Sequence, residues 1–379
     1  MKTTLRSWPT LCALLVLALC LDDNARAQSS KHPPEFKVDP TWPTIPNNWV
    51  LGEVTSISVD RHDNIWVLHV PQSVPEAQRV NAAPPVLEFD SKGKLLKSWG
   101  GPQNGAQWLG REHGIFVDAN DFVWIGGRAG WPRATTPGVS DDMIMKFTTA
   151  GKLVMQIGMS GASTGNLDTA NVHQATDVFV DTKAREVYAA DGYGNKRVIV
   201  FDSDTGKFKR MWGAFGSAPP ATFGPNLPTP QPQTTPDGPP EFGLPHAIKV
   251  SSDGIVYVAD RINNRIQMFT RDGKFLKQVR VTNEGSDVVP VPAGFAFSPD
   301  AKQQFLYVVD SGPMRVVIFD RQTMTQIGVV GSKGKDAGQF DRRFSPSWVP
   351  PCGWWPVAEI MRPRGPMLWP RCPPPRREC

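Results

Sequence analysis

The sequence predicts an all-β protein built as a β-propeller, on three observations. A pair of short β-like runs recurs five times along the chain. A second pair follows most copies, giving units of four strands at a period of roughly 50–60 residues, as propeller blades do. Long helical periodicity is absent beyond the first 27 residues.

The inner pair reads Ile57-Ser-Val-Asp60 with Ile65-Trp-Val-Leu68, then Ile115-Phe-Val-Asp118 with Val123-Trp-Ile125. It returns as Val178-Phe-Val-Asp181 with Val187-Tyr-Ala189, as Ile248-Lys-Val-Ser251 with Val256-Tyr-Val-Ala259, and as Phe295-Ala-Phe-Ser298 with Leu306-Tyr-Val-Val309. β-Branched and aromatic residues fill these runs, and polar turns such as Arg61-His-Asp-Asn64 join them, the composition of hairpins. Outer pairs follow, among them Val86-Leu-Glu-Phe89 with Leu95-Leu-Lys-Ser98. Trp66 and Trp124 stand within these β-like runs, which predicts packing between blades and no base-stacking platform. Arg197, Arg265 and Arg315 recur at equivalent places and read as fasteners. Asp191, Asp260 and Asp310 end corresponding strands and read as turn-fixing residues.

Residues 217–242 hold nine prolines and are expected to form an extended, mobile linker. Gly338-Gln-Phe340 resembles Pro240-Glu-Phe242, the lead-in to the fourth unit, so a sixth blade should start there. From Asp341 the composition changes to ten prolines, seven arginines, four tryptophans and three cysteines, without lysine, in 39 residues. The sixth blade is therefore expected to be missing or scrambled. Either residues 341–379 are a genuine Pro-rich tail behind five closed blades, or the reading frame is lost near codon 341, the favoured alternative.

The ends also carry the charge. Residues 1–27 hold +1 and residues 341–379 hold +4 of the formal +5, which leaves residues 28–340 neutral. A neutral body is a poor nucleic-acid binder, because phosphate affinity needs a concentrated basic face. Lys2 and Arg6, the apolar run from Leu11 to Leu21 and the small-x-small site Ala25-Arg-Ala27 read as a secretory signal. The run is shorter than the ~20 apolar residues of a membrane-spanning helix. An exported monomer, periplasmic or extracellular and without a membrane span, is expected. All five cysteines lie near the ends, so residues 21–351 offer no thiolate, and any metal there needs histidine, carboxylate or carbonyl ligands.

Aligned on the first strand, the position five residues before Asp60 or its equivalent carries Thr55, His113, Thr176, His246 and Ala293. First strands line a propeller's channel, so His113 and His246 should stand at its mouth in alternate blades. A third histidine from blade six would complete three imidazoles around the axis, the ligand set of a catalytic zinc. It would fall about where Phe344 stands, so the third histidine is absent from this chain. The competing reading makes His113 and His246 channel-lining residues satisfied by hydrogen bonds. His69 could also face the axis, His173 only approaches it, and His32 and His62 are expected in solvent.

These residues also match a family. Leu244-Pro-His-Ala-Ile-Lys-Val250 and Val256-Tyr-Val-Ala-Asp-Arg-Ile-Asn-Asn-Arg-Ile-Gln-Met-Phe269 resemble an NHL repeat. More narrowly, they resemble the peptidyl-α-hydroxyglycine α-amidating lyases. Ala190-Asp-Gly-Tyr-Gly-Asn-Lys-Arg-Val198 is similar to the segment holding that family's catalytic tyrosine, and Glu112-His-Gly-Ile-Phe-Val-Asp118 to its first zinc-histidine segment. The resemblance runs from about residue 50 to 340. It implies a six-bladed NHL-type propeller with Zn2+ held by three histidines, His113 and His246 among them. Tyr193 would be the base, aided by the metal because free tyrosine titrates near ~10. Arg261 would hold the carboxylate that leaves as glyoxylate. A structural Ca2+ is implied near the carbonyls of Ile57 and Ile115.

Two departures stand against the resemblance: the third histidine, and Val70, where the family has a second active-site arginine. The expected function is a lyase that splits a peptide or small molecule with a hydroxyglycine-like end, inactive if the site is incomplete. The alternative is a non-catalytic NHL propeller that binds a peptide, protein or small ligand. A calcium-dependent lactonase is disfavoured, because no acidic channel cluster stands out.

Overall fold

The structure is a computed structural model that describes residues 32–39, 41–102, 108–129, 140–221, 237–283, 287–340 and 367–368. The chain divides into two units, Met1–Pro33 and Pro34–Cys379. The expected secretory signal lies outside the described residues, as do the centre of the Pro-rich linker and nearly all of the tail.

Five four-stranded antiparallel sheets follow one another along the chain, each with its strands in sequence order. Blade one comprises Glu53–Val59, Ile65–Val70, Val86–Phe89 and Leu95–Trp99. Blade two comprises Glu112–Val117, Phe122–Gly127, Met143–Thr148 and Leu153–Gly158. Blade three has Asp177–Asp181, Glu186–Asp191, Arg197–Asp202 and Phe208–Trp212. Blade four has Pro245–Val250, Val256–Asp260, Arg265–Phe269 and Phe275–Val279. Blade five has Pro292–Phe297, Phe305–Asp310, Arg315–Asp320 and Thr325–Val330. Second and third strands are buried on both faces and the fourth faces water, which is why the former read as continuous apolar runs.

The cores lie between neighbouring sheets. Trp66 and Leu68 of blade one pack with Ile115 and Val123 of blade two, and Trp124 with Val178 and Val187 of blade three. The indole N–H groups of Trp66 and Trp124 donate to Asp60 and Asp118, at 3.0 and 2.8 Å. The expected packing role of both tryptophans holds.

At the described edges other residues take over this covering. Trp42 and Ile45 pack on blade one, and Phe36, Val38 and Phe340 pack on blade five. Of the expected sixth blade, Gln339–Phe340 pairs with Ser332–Lys333, and among the described residues no sixth four-stranded sheet follows. A two-residue parallel ladder joins Val38–Asp39 to Met367–Leu368.

Buried ion pairs clip the blades. Arg197, Arg265 and Arg315 donate through Nε to Asp191, Asp260 and Asp310 at 2.9, 2.8 and 3.0 Å. Their remaining nitrogens reach carbonyls of the preceding connection, such as Asn166 and Asn171 for Arg197 and Glu241 for Arg265. The other oxygen of each aspartate accepts backbone N–H groups leading into the first strand, from His173, Gly243 and Val291 respectively.

Blades one and two meet the same requirement differently. In blade one His69 stands in the aspartate's place, and its Nδ1 accepts from Gly52 at 3.1 Å. In blade two that place is Gly127, where a Cβ would lie 2.4 Å from Asp141 Oδ2. Asp141 fills the space and accepts from Gly110, Arg111 and Ala129.

Candidate active site

The first strand pairs with the second through a register shift at one place in four blades: between Val54 and Ser56, Glu112 and Gly114, Pro245 and Ala247, and Pro292 and Gly294. The residue skipped is Thr55, His113, His246 or Ala293. A β-bulge re-aims the side chain it carries. Here it turns His113 and His246 to the channel. Gly114 permits the close approach of the next first strand, since a Cβ there would lie 2.8 Å from Thr176 O.

Each histidine is anchored on the next blade. His113 Nδ1 lies 2.7 Å from Thr176 O, and His246 Nδ1 lies 2.8 Å from Ala293 O. A carbonyl only accepts, so each Nδ1 carries the proton and each Nε2 presents a lone pair. Both Nε2 atoms then converge on one oxygen, lying 3.1 Å from the Tyr193 hydroxyl. The imidazole centroids are 5.1 Å apart.

Tyr193 is placed by its loop. A Cβ on Gly192 would lie 2.0 Å from Pro245 O, and one on Gly194 would enter the His173 ring at 2.3 Å. Only glycine lets the Asp191–Asn195 turn press against blade four and hold the phenol between the histidines. Leu244 and Ile262 complete its buried surroundings.

Burial holds both imidazoles well below the ordinary histidine range, and nearby guanidinium charges push the same way: Arg128 at His113, Arg261 at His246. Both are therefore neutral in the folded protein near pH 7, the form that binds a metal. Two fixed, neutral Nε2 lone pairs aimed at one point, each with its Nδ1–H held by a carbonyl, suit a zinc ion. Among the described residues no group of three His, Cys, Asp or Glu side chains converges. The residue expected to follow Phe340 as third ligand lies outside them.

Arg261 borders Tyr193 electrostatically and is partly buried, with its backbone N–H bound to Leu244 O. His69 does not join the group. Its second nitrogen donates to Pro84 O at 2.9 Å, so its ring is spent on fastening blade one, and burial lowers its pKa to about 4. His173 packs under the tyrosine loop with its Nε2 3.9 Å from Asp142. His62 is exposed beside Asp121, as expected of a turn residue.

Ile57 lines a channel cavity of about 40 Å3 with both histidines, Asp177 and Lys249. The Lys249 ammonium is buried there, 3.7 Å from an Asp177 oxygen. Ile115 is buried in the core between blades one and two.

Arg128 is the residue that the sequence reading passed over. Trp66, Trp124, Tyr188, Tyr257 and Tyr307 occupy one register position, opposite Ser58, Phe116, Phe179, Lys249 and Ala296. Four residues further stand Val70, Arg128, Gly192, Arg261 and Ser311. Arg128 thus matches Arg261, and its guanidinium lies 5.5 Å from the Tyr193 ring centroid. Extending the blade alignment by those four residues would have found it.

The NHL repeat family model matches residues 242–269. The chain carries an NHL repeat within a β-propeller. It is 27% identical to NHL repeat-containing protein 3 of Mus musculus over 279 residues, which covers 71% of this chain and 65% of the relative. It is 27% identical to peptidyl-glycine alpha-amidating monooxygenase A of Xenopus laevis over 71% of this chain, but only 27% of that protein. Peptidyl-alpha-hydroxyglycine alpha-amidating lyase 1 of Drosophila melanogaster is 24% identical over 76% of this chain and 50% of its own length. The NHL-repeat propeller thus has distant relatives named for the amidating lyase, and spans less than two thirds of each of these three.

Proposed function

We propose that this protein is an exported lyase-like propeller acting on peptides or small molecules that end in N-acyl-α-hydroxyglycine. The observation that carries the reading is the convergence of His113 Nε2 and His246 Nε2 on the Tyr193 hydroxyl, at 3.1 Å each. The amidating-lyase names of distant relatives point to the same chemistry.

His113 and His246 would hold zinc, which when bound polarises the substrate hydroxyl. Tyr193, beside both ligands, would accept the hydroxyl proton as its phenolate. The electron pair released from the O–H bond closes the carbonyl as the C–N bond breaks, and the nitrogen, leaving with the C–N pair, takes the proton, giving an amide and glyoxylate. Arg261 holds the carboxylate that departs with the glyoxylate. Buried walls around Tyr193 keep bulk water from the breaking bond.

The test uses the full chain. Zinc content after dialysis and glyoxylate release from benzoyl-α-hydroxyglycine should both be measurable, and His246→Ala should abolish both. Stoichiometric zinc without glyoxylate, or neither, refutes the lyase. The protein would then be a binding propeller, a reading that its likeness to NHL repeat-containing protein 3 favours.

A further inference from the structure

The lyase reading leaves one arginine, Arg261, for the substrate carboxylate, because Val70 stands where the resemblance expects a second. The described residues around Tyr193 hold other cations. Arg128 follows the second strand of blade two at the register that Arg261 occupies in blade four, and their backbone N–H groups bind equivalent carbonyls, of Arg111 and Leu244. These are also the two blades whose bulges carry His113 and His246. Blades one, three and five have Val70, Gly192 and Ser311 in the same place, without charge.

Arg128 lies over the Tyr193 ring at 5.5 Å, and the tyrosine is among the groups that act on the Arg261 charge. The two guanidiniums also act on each other, since the Arg128 charge opposes the protonation of Arg261. Arg128 is buried, and its Nη2 lies 3.5 Å from Glu53 Oε1. Glu53 is shared, because its other oxygen pairs with Arg111. Two like charges held near each other beside one tyrosine form a clamp for an anion, and guanidinium forks suit a carboxylate.

We infer that Arg128 is a substrate-binding residue that grips the carboxylate of the N-acylglycine end together with Arg261, supplying from blade two the charge that Val70 does not supply from blade one. This rests on the lyase reading for the identity of the substrate. It does not rest on it for the carboxylate, which a non-reacting ligand can report.

The probes are benzoylglycine, which has the carboxylate but no hydroxyl to react, and its uncharged amide. Arg128→Gln, which keeps length and polarity, should weaken benzoylglycine binding at least about tenfold, the weight of one charge-assisted hydrogen bond. The amide should bind equally to both proteins. Arg128→Lys should recover part of the loss, because it restores charge without the fork. With benzoyl-α-hydroxyglycine, Arg128→Gln should raise KM more than it lowers kcat.

If wild type binds benzoylglycine through Arg128 but releases no glyoxylate, the lyase reading fails and the carboxylate clamp stands. If Arg128→Gln and Arg128→Lys both bind benzoylglycine as wild type does, the clamp is refuted whatever the turnover. Failure of wild type to prefer benzoylglycine over its amide refutes it as well.

Discussion

The rim that fastens the blades and the mouth that faces the channel obey different rules. At the rim every described blade solves the same problem: backbone N–H groups entering the first strand need a buried acceptor. Asp191, Asp260 and Asp310 supply it in blades three to five, His69 in blade one and Asp141 in blade two. At the mouth the blades differ by design. Blades two and four bring His113 with Arg128 and His246 with Arg261, blade three brings Tyr193, and blades one and five bring Thr55 and Ala293. Repetition therefore marks the groups that hold the fold, and departure from repetition marks the groups available for chemistry. The rule also sorts the histidines, since His69 belongs to the rim and His113 and His246 to the mouth.

Breaking the rim should cost most. Arg265→Ala would leave Asp260 buried without its guanidinium partner and strip the Asp237 and Glu241 carbonyls of a donor. Removing one partner of a buried pair costs about 3–5 kcal/mol. Urea unfolding should show a loss of that size. A loss below about 1 kcal/mol would mean that the clip is replaceable and the rim less uniform than its geometry suggests.

Gly192→Ala tests the border between the two regions. The added methyl meets Pro245 O at 2.0 Å, a contact with backbone that no rotamer relieves. The turn must move away from blade four, carrying Tyr193 from the His246 side. Overpacking of this kind costs about 1–3 kcal/mol, so the protein should still fold. The larger consequence should fall on the site, with glyoxylate release reduced more than roughly tenfold. Retention of full activity would show that Tyr193 is not held by this contact.

The two regions were unequally legible in the sequence. Five blades could be read because second and third strands, buried on both faces, leave continuous β-branched runs, and the Asp–Arg fasteners repeat in register. His113 and His246 could be read because they break the repeat at one position. Tyr193 needed the family resemblance, since a lone tyrosine in a Gly-rich turn has no periodic signal. Arg128 went unseen because Val70 was compared with a family pattern and not with the other blades. Asp141 was hidden more deeply, because it reaches the Gly127 space from another loop and no spacing announces that.

The smallest expected effect is a test of His69 as a rim residue. It is buried and neutral, with Nδ1 accepting from Gly52 and Nε2–H donating to Pro84. Burial lowers its pKa to about 4 from the ordinary histidine value of 6.5. The unfolded chain thus takes up a proton between pH 6.5 and about 4 that the folded chain refuses, so stability falls as pH falls through that window and is fully present above it. His113 and His246 are shifted in the same direction and add to the wild-type slope. His69→Gln can keep an acceptor and a donor in place without titrating. Going from pH 6.5 to 5.5, wild type should lose about 1 kcal/mol more than the variant. Parallel stability curves would mean that His69 titrates in the fold and is not bound as a neutral fastener, and the comparison between rim and mouth would then lose blade one.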